Sequence, residues 1–244
     1  MANGMYAEIL KNGARSMGVS LDDRQIEMFG LYKKKIQRWN RKLNLTAVDD
    51  DQGIVTAHFL DSLAGLSAGI PAGARVVDIG AGAGLPGLAV KIARPDIELF
   101  LIEATRKKAN FLVGVIGELG LRAFVIAKRA EEVARDARYR ENFDIALVRA
   151  VGELPVVAEY GFPLLVAGGR LIAYKSRPGS AEIEAGARAA EVLGGSIEEI
   201  KIAVIPFLRA ERCLVIFRKE RRTSDLYPRR AGIPTKRPLG SMTG

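Results

Sequence analysis

The stretch VVDIGAGAGLPG, residues 76–87, joins an apolar run to one carboxylate and to four glycines within eight residues. An apolar run that ends in a glycine-rich turn is typical of a buried strand whose loop lets a ligand approach the backbone. Asp78 lies two residues before the first glycine, which gives the frame D-x-G-x-G-x-G over residues 78–84. Residues 82–87 also match the dinucleotide pattern G-x-G-x-x-G. The stretch therefore predicts a ligand at the end of a strand and leaves two ligands open.

Register and charge favour the first frame. In the dinucleotide pattern the first glycine closes the strand, whereas Gly82 follows Asp78 by four residues. A carboxylate at this point would repel a pyrophosphate, but it suits the cationic aminoacyl half of S-adenosylmethionine. The frame resembles the signature of class I methyltransferases that bind this cofactor. Glu103, at the end of the next strand, can accept hydrogen bonds from ribose hydroxyls, which both cofactors contain.

The rest of the chain alternates between strand-like and helix-like segments. Continuous apolar runs rich in β-branched residues indicate strands that are buried on both faces of a parallel sheet. The pattern predicts an α/β fold with a mostly parallel seven-stranded sheet, one antiparallel strand and N-terminal helices. The predicted strands are 75–79, 97–103, 123–127, 143–148, 170–175, 197–207 and 213–219, and the helices after the first strand are 86–93, 105–119, 130–137, 155–166 and 180–193.

Two basic segments flank this alternating region. Residues 20–43 fit an amphipathic helix with a capping box at Ser20 and Asp23. Its apolar stripe is predicted to consist of Phe29, Tyr32, Ile36, Trp39 and Leu43, and its cations form either a solvated face or a polyanion contact. Residues 218–240 carry eight Lys or Arg and three prolines, and this composition predicts an extended tail that cannot pack as a core element. The predicted divisions are an N-terminal helical extension (1–70), a methyltransferase domain (71–220) and a basic tail (221–244).

Composition limits the chemistry of the chain. The 244 residues carry a net charge of +9, which indicates either a polyanionic partner or a basic solvated surface. One cysteine and one histidine exclude an internal disulfide and a Cys/His zinc cluster. No apolar run approaches the length of a membrane span, so we expect no membrane contact and a reduced, cytoplasmic location.

The residues after the fourth predicted strand bear on the methyl acceptor. Arg149, Ala150 and Val151 do not form the N/D-P-P-Y/F cluster of enzymes that methylate exocyclic amines. Methylation of pyrimidine C5 needs a cysteine nucleophile, and Cys213 lies within a strand-like run instead. Guanine N7 presents a lone pair that needs no general base. The sequence therefore predicts no catalytic acid–base residue, no covalent intermediate and no metal.

Several motifs follow the order and spacing of one family. The sequence resembles the bacterial small-subunit ribosomal RNA guanine-N7 methyltransferases, known as RsmG or glucose-inhibited division protein B. The tail YPRRAGIPTKRPLG also resembles the basic ending of that family. The motifs are NLTAV (44–48), HFLDSL (58–63), VVDIGAGAGLPGLAV (76–90), RAEEV (129–133), LVRAV (147–151) and AGGRLIAYKS (167–176).

The resemblance implies a Rossmann-like, class I methyltransferase fold with an N-terminal helical extension. It also implies S-adenosylmethionine as cofactor and methylation of one guanosine in the decoding-region loop of 16S rRNA. The implied partner is this RNA or the small ribosomal subunit, and we expect a monomer. Asp78 and Glu103 follow from the wider class of methyltransferases, and Gly82 follows from the glycine frame. The family's cofactor contacts correspond to Gly80 and Leu85 in the glycine loop, Ala130 and Glu131 at the adenine, and Arg149 after the fourth strand.

Further polar residues are expected to bind RNA or to pack against the core. Expected RNA contacts are Lys175 at the end of the fifth strand and the tail residues Arg229, Arg230, Lys236 and Arg237. His58 and Asp61 either fix a helix against the core or line the RNA side of the pocket. Alternatives are an RNA-binding protein without turnover, a methyltransferase for another RNA or protein, and, least favoured, a dehydrogenase.

Overall fold

The computed structural model describes residues 2–208 and 211–240, which are organised around a seven-stranded sheet of order β3-β2-β1-β4-β5-β7-β6. β7 pairs antiparallel with both of its neighbours, and the remaining pairs are parallel. The predicted fold class is therefore confirmed. The strands are β1 (Arg75–Ile79), β2 (Glu98–Ile102), β3 (Ala123–Ile126), β4 (Phe143–Arg149), β5 (Leu165–Lys175), β6 (Gly195–Val204) and β7 (Glu211–Lys219).

Helices connect the parallel strands, as expected for right-handed crossovers in an α/β sheet. Four short helical segments follow α2 and lead into the sheet: α3 (Asp51–Gly53), a π-helical turn (Ile54–Leu60), α4 (Asp61–Leu63) and a 3-10 turn (Ala64–Ala68). In the described part of the chain, no helix combines the length and apolar character needed to cross a membrane. The helices are α1 (Ala2–Ser16), α2 (Asp23–Leu43), α3 (Asp51–Gly53), α4 (Asp61–Leu63), α5 (Gly87–Ala93), α6 (Arg106–Leu119), α7 (Ala130–Val133), α8 (Leu154–Gly161), α9 (Ser180–Leu193) and α10 (Ile233–Lys236).

The long helix α2 begins with a capping box, but not the predicted one. Asp22 is the N-cap; its side chain accepts from the Gln25 amide, and the Gln25 side chain accepts from the Asp22 amide. The prediction of Ser20 and Asp23 was wrong because the adjacent Asp22 offers a carboxylate in the extended conformation that a cap requires. The apolar stripe is as predicted, with Phe29, Tyr32 and Ile36 buried.

The cations of α2 do not form one uniform solvated face. Lys33 is buried and pairs with Asp51 Oδ1 at 2.6 Å, and Lys35 pairs with Glu118 on α6. Among residues 33–43 of this helix, the other four cations remain exposed: Lys34, Arg38, Arg41 and Lys42. The helix therefore uses two of its charges to bind the rest of the fold.

Two hydrophobic cores lie on opposite faces of the sheet. One core packs α1, α2 and the segment 51–68 with α5 and α6, and it contains Leu10, Phe59 and Leu112 in a single cluster. The other packs α8 and α9 against the sheet. Since the N-terminal helices share a core with the strands, they stabilise the same folded unit. The division at residues 70 and 220 stays a prediction.

The C-terminal tail is packed on the second face, contrary to the prediction of an extended segment. The Arg229 guanidinium makes a two-pronged ion pair with the carboxylate of Glu159, which is fully buried in α8. Arg140 donates to the carbonyl oxygens of Thr223, Ser224 and Tyr227. Charged side chains of the domain thus bind the tail through an ion pair and hydrogen bonds. The amino-acid composition of the tail does not reveal these partners.

Candidate functional site

A cavity of about 510 Å³ opens at the carboxyl ends of β1, β4 and β5. The strand order reverses between β1 and β4, and ligands of open α/β sheets bind at such a point. The wall combines the loops after these strands with the segment 51–68. Of the residues predicted from the sequence, those in the wall are Gly80, Gly82, Leu85, Arg149 and Lys175, together with His58 and Asp61.

The glycine loop turns through the left-handed region of backbone space. Gly80, Gly82 and Gly84 have φ values of +71°, +55° and +89°, which residues with a side chain rarely adopt. A Cβ at Gly82 would meet nothing closer than the Gly80 carbonyl oxygen at 3.8 Å. The space beside Gly82 is therefore open, and a ligand can approach the main chain there.

Helix α2 supports this loop from behind. The Tyr32 hydroxyl is fully buried and donates to the Ala83 carbonyl oxygen at 2.6 Å. A Cβ at Gly84 would lie 2.8 Å from the same hydroxyl oxygen, so glycine is needed for this close approach as well as for its φ. The N-terminal helices thus help to set the conformation of the loop.

Glu103 follows β2 and holds the loop from the side. One carboxylate oxygen accepts from the Gly82 amide at 2.9 Å, and the other accepts from the Thr105 amide at 2.7 Å. The side chain is largely buried and is not part of the cavity wall. Each carboxylate oxygen can accept a second hydrogen bond, so contact with ribose hydroxyls stays a prediction.

Asp78 lies beneath the loop rather than in the cavity wall. Its Oδ2 accepts from the Gly87 amide at the start of α5 at 2.8 Å, and its Oδ1 has no hydrogen-bond partner among the described residues. Complete burial raises the pKa of Asp78 to about 7, although the Gly87 amide and the Arg149 guanidinium favour the charged form. Direct contact with the aminoacyl group of the cofactor stays a prediction.

Ala130 and Glu131 open α7, and neither belongs to the wall of this cavity. Glu131 is buried, and its Oε1 accepts from the Gly232 amide of the tail at 3.0 Å. The predicted adenine contacts therefore lie where the tail meets the domain. Their place in the cofactor site stays a prediction.

Two arginines of the cavity wall share one buried carboxylate. Arg149, the last residue of β4, donates to Asp61 Oδ2 at 2.8 Å, and Arg212 of β7 donates to Asp61 Oδ1 at 2.5 Å. Ala150 follows with a φ of +58°, which turns the chain sharply after Arg149. Asp61 therefore fixes the packing of its segment and also lines the cavity, so the two roles weighed for it are combined.

His58 lies against Thr46 of the predicted NLTAV motif. Its Nε2 is 2.6 Å from the Thr46 hydroxyl oxygen and 3.2 Å from the Val48 carbonyl oxygen. Burial and the nearby Arg149 guanidinium lower the pKa of His58, which leaves the imidazole neutral at neutral pH. Its contacts hold the motif against the π-helical turn.

The predicted RNA contacts differ in their surroundings. Lys175 faces the cavity but pairs with Glu182 at 2.6 Å and donates to the Gly152 carbonyl oxygen. Arg229 is committed to Glu159, as described above. The remaining tail cations are exposed: Arg230, Lys236 and Arg237. A role in RNA binding for any of these residues stays a prediction.

Three residues of the site were missed by sequence reasoning. Tyr32 was assigned to the core stripe, Arg212 was left between the last two predicted strands, and Lys108 was passed over within a helix, although Arg212 and Lys108 line the cavity. Arg212 lies on β7, which pairs antiparallel with β5, so its approach to Asp61 depends on the order of the sheet. The one available signal was the run Arg106-Lys107-Lys108 immediately after the Glu103 strand end.

Comparisons with known proteins support one family. The model of the rRNA small subunit methyltransferase G family matches residues 25–211. The chain is 44% identical to the ribosomal RNA small subunit methyltransferase G of Symbiobacterium thermophilum, over 96% of this chain and 98% of that protein. It is 40% identical to the Acetivibrio thermocellus protein of the same name, over 95% and 96% of the two chains. A methyltransferase from Pyrococcus furiosus shares the fold at 16% identity, with a TM-score of 0.54 over 78% of this chain and 96% of that one.

Proposed function

This chain belongs to the rRNA small subunit methyltransferase G family, and we propose that it methylates N7 of a guanosine in the decoding-region loop of 16S rRNA. Its methyl donor is S-adenosylmethionine. The observation that carries the proposal is the cavity at the switch point of the sheet, which joins an open glycine loop to a pair of arginines.

The residues present fit this cofactor. The space beside Gly82 accepts a ligand against the main chain, and the unpartnered Asp78 Oδ1 lies beneath the same loop. Gly80, Gly82 and Leu85 would hold the aminoacyl half through backbone contacts, and Glu103 would hold the ribose. Arg149 would complete this set as a donor to a carboxylate. Ala130 and Glu131 would hold the adenine.

The reaction requires little from the protein beyond alignment of the methyl group with guanine N7. When bound, the cofactor supplies a methyl group on a positively charged sulfur. The guanine N7 lone pair forms the new N–C bond, and the sulfur keeps the electron pair of the broken S–C bond. No proton leaves N7, so the site needs orientation and charge complementarity rather than a general base. His58, neutral and bonded to the NLTAV motif, has a packing role in this scheme.

The arginine pair adds two positive charges to the wall of the cavity. Arg149 and Arg212 are permanently charged and share the single carboxylate of Asp61. The trio can therefore receive an anionic group or the acceptor oxygen of a base. Cys213 is buried within β7 and lies outside the cavity wall, which disfavours a covalent route through its thiol.

We also propose a setting for the reaction. We place the protein in the cytoplasm, acting as a monomer on 16S rRNA or on the small ribosomal subunit. A different RNA or a protein as acceptor would leave the cofactor residues unchanged. A chain that had lost turnover would still bind RNA.

The decisive test is transfer of labelled methyl from S-adenosylmethionine to small subunits from cells that lack this gene. Nuclease digestion and mass spectrometry of the 16S rRNA then identify the modified base. We expect one 7-methylguanosine within the decoding region. Label on another base, on another RNA or on protein would contradict the proposal, and binding of subunits without label would indicate a chain without turnover.

A further inference from the structure

Helices α2 and α6 lie side by side and run in opposite directions. Lys35 of α2 pairs with Glu118 near the end of α6, and the Trp39 ring centroid lies 5.8 Å from that of Phe111. Residues later in α2 therefore contact residues earlier in α6. The last turn of α2 is therefore beside the first turn of α6.

The adjoining ends of α2 and α6 form a positively charged surface. Residues 33–46 and 104–117 contain no Asp or Glu. On α2, the exposed cations recur at spacings of four, three and one residues, which places them on one face of the helix. The cations of these two segments that make no ion pair within the described residues, here called the basic ridge, are Lys34, Arg38, Arg41, Lys42, Arg106, Lys107 and Lys108.

The basic ridge leads to the mouth of the cavity. Lys108 lines the cavity from the first turn of α6. Leu45 and Thr46, which follow the end of α2, line it as well. A polyanion that lies along the ridge would thus reach the site where the acceptor base must enter.

We propose that the basic ridge binds backbone phosphates of the rRNA that flank the target nucleotide. This inference rests on the proposed function, because it names the surface that presents the RNA to the same cavity. Unpaired Lys and Arg side chains gain most from a polyanion, since they displace its condensed counterions and give up no internal ion pair.

The tail is the competing surface, and its geometry favours it less. It packs on the sheet face opposite to α2 and α6, and its Arg229 is committed to a buried carboxylate. Arg222 of the tail likewise pairs with Asp225 at 2.9 Å. Three of the exposed tail cations, Arg230, Lys236 and Arg237, make no ion pair within the described residues, and they provide a matched control for the ridge.

The test compares two triple variants that each remove three positive charges. The ridge variant carries Arg38→Gln, Arg41→Gln and Lys42→Gln; the tail variant carries Arg230→Gln, Lys236→Gln and Arg237→Gln. Because all six side chains are exposed, both variants should fold, which circular dichroism melting verifies. Arg106→Gln with Lys107→Gln examines the other half of the ridge independently.

We expect the ridge variant to raise the KM for unmethylated small subunits at least tenfold near 150 mM salt. Its kcat and its affinity for S-adenosylhomocysteine should stay at the wild-type values. The slope of log KM against log salt should become shallower by about 2 to 3, since each lost phosphate contact removes about 0.7 to 0.9. The tail variant should stay within twofold of the wild type.

Two results would overturn the proposal: a ridge variant that matches the wild type, or a tail variant with an equal or larger defect. A ridge defect on whole subunits that is absent in filter binding to protein-free 16S rRNA would assign the surface to a protein contact instead. Failure of the proposed function would look different, because wild-type protein would then leave subunits unlabelled. Filter binding of the three proteins to 16S rRNA would still rank ridge against tail.

Discussion

Asp78 and Glu103 lie at the carboxyl ends of neighbouring strands, yet their carboxylates are satisfied to different degrees. Glu103 accepts two backbone amides, whereas Asp78 accepts one and keeps Oδ1 without a partner among the described residues. An unsatisfied polar atom in a buried site costs free energy. Asp78 is therefore a residue at which the fold gives up stability beside the ligand loop.

This cost should appear as a pH dependence that Asp78→Asn removes. The folded pKa of about 7 exceeds the ordinary value of 3.8, so the native state binds more protons than the unfolded state between these limits. Stability contributed by this group falls as pH rises through that window, by on the order of 4 kcal/mol, and is constant above it. Asn keeps an acceptor for the Gly87 amide without the charge.

Urea unfolding of both proteins at pH 5 and pH 8 measures the effect. The wild type should lose more stability than Asp78→Asn between these values. His58 titrates with the opposite sign, because burial lowers its pKa, but it contributes to both proteins equally. Parallel pH dependences would show that Asp78 stays charged in the fold.

At the scale of elements, α2 links the N-terminal extension to the ligand loop. Its Tyr32 hydroxyl is the only side-chain donor to the Ala83 carbonyl oxygen among the described residues. Loss of one partner from a buried hydrogen bond costs about 1–3 kcal/mol. The helix therefore stabilises the loop as well as the core.

Tyr32→Phe should keep the fold and weaken the binding of S-adenosylhomocysteine severalfold, because the loop loses a fixed point. Isothermal titration calorimetry gives the affinity. Tyr6→Phe is the matched control, since Tyr6 packs against α2 near Gly30, away from the loop. Equal affinities for all three proteins would assign the loop conformation to its glycines alone.

Where the local sequence sets the bounds of an element, those bounds were predicted correctly. β1 has the predicted bounds because its apolar run ends at a glycine turn, and α9 has them because Gly194 ends it in the left-handed region. The family, the fold class and the methyl donor are confirmed. Five of the predicted cofactor and RNA residues line one cavity, since strand ends of a parallel sheet meet at one edge.

The remaining features depend on contacts distant in sequence. Arg212 reaches Asp61 across 151 positions, and Arg229 reaches Glu159 across 70. No local periodicity encodes such pairs. For the same reason Lys33 was taken for a surface charge, although its partner Asp51 follows the end of the helix.

At the scale of the whole molecule, the tail closes one face of the fold. Its removal would leave Glu159 buried without a counter-ion and would deprive Arg140 of its three tail carbonyls. Breaking a buried ion pair by losing one partner costs about 3–5 kcal/mol. The tail is thus part of the folded unit, although its basic composition does not indicate this role.

Truncation after Arg222 should therefore lower the melting temperature by roughly 10 °C, because a domain of this size loses about 2–4 °C per kcal/mol. Affinity for S-adenosylhomocysteine should fall as well if Glu131, released from the Gly232 amide, helps to bind adenine. Differential scanning calorimetry and titration calorimetry measure the two effects. Adding Glu159→Leu to the truncated chain should restore part of the lost stability, since it removes the stranded charge. A truncated protein that melts at the wild-type temperature would mean that the tail is an appendage with no share in the fold.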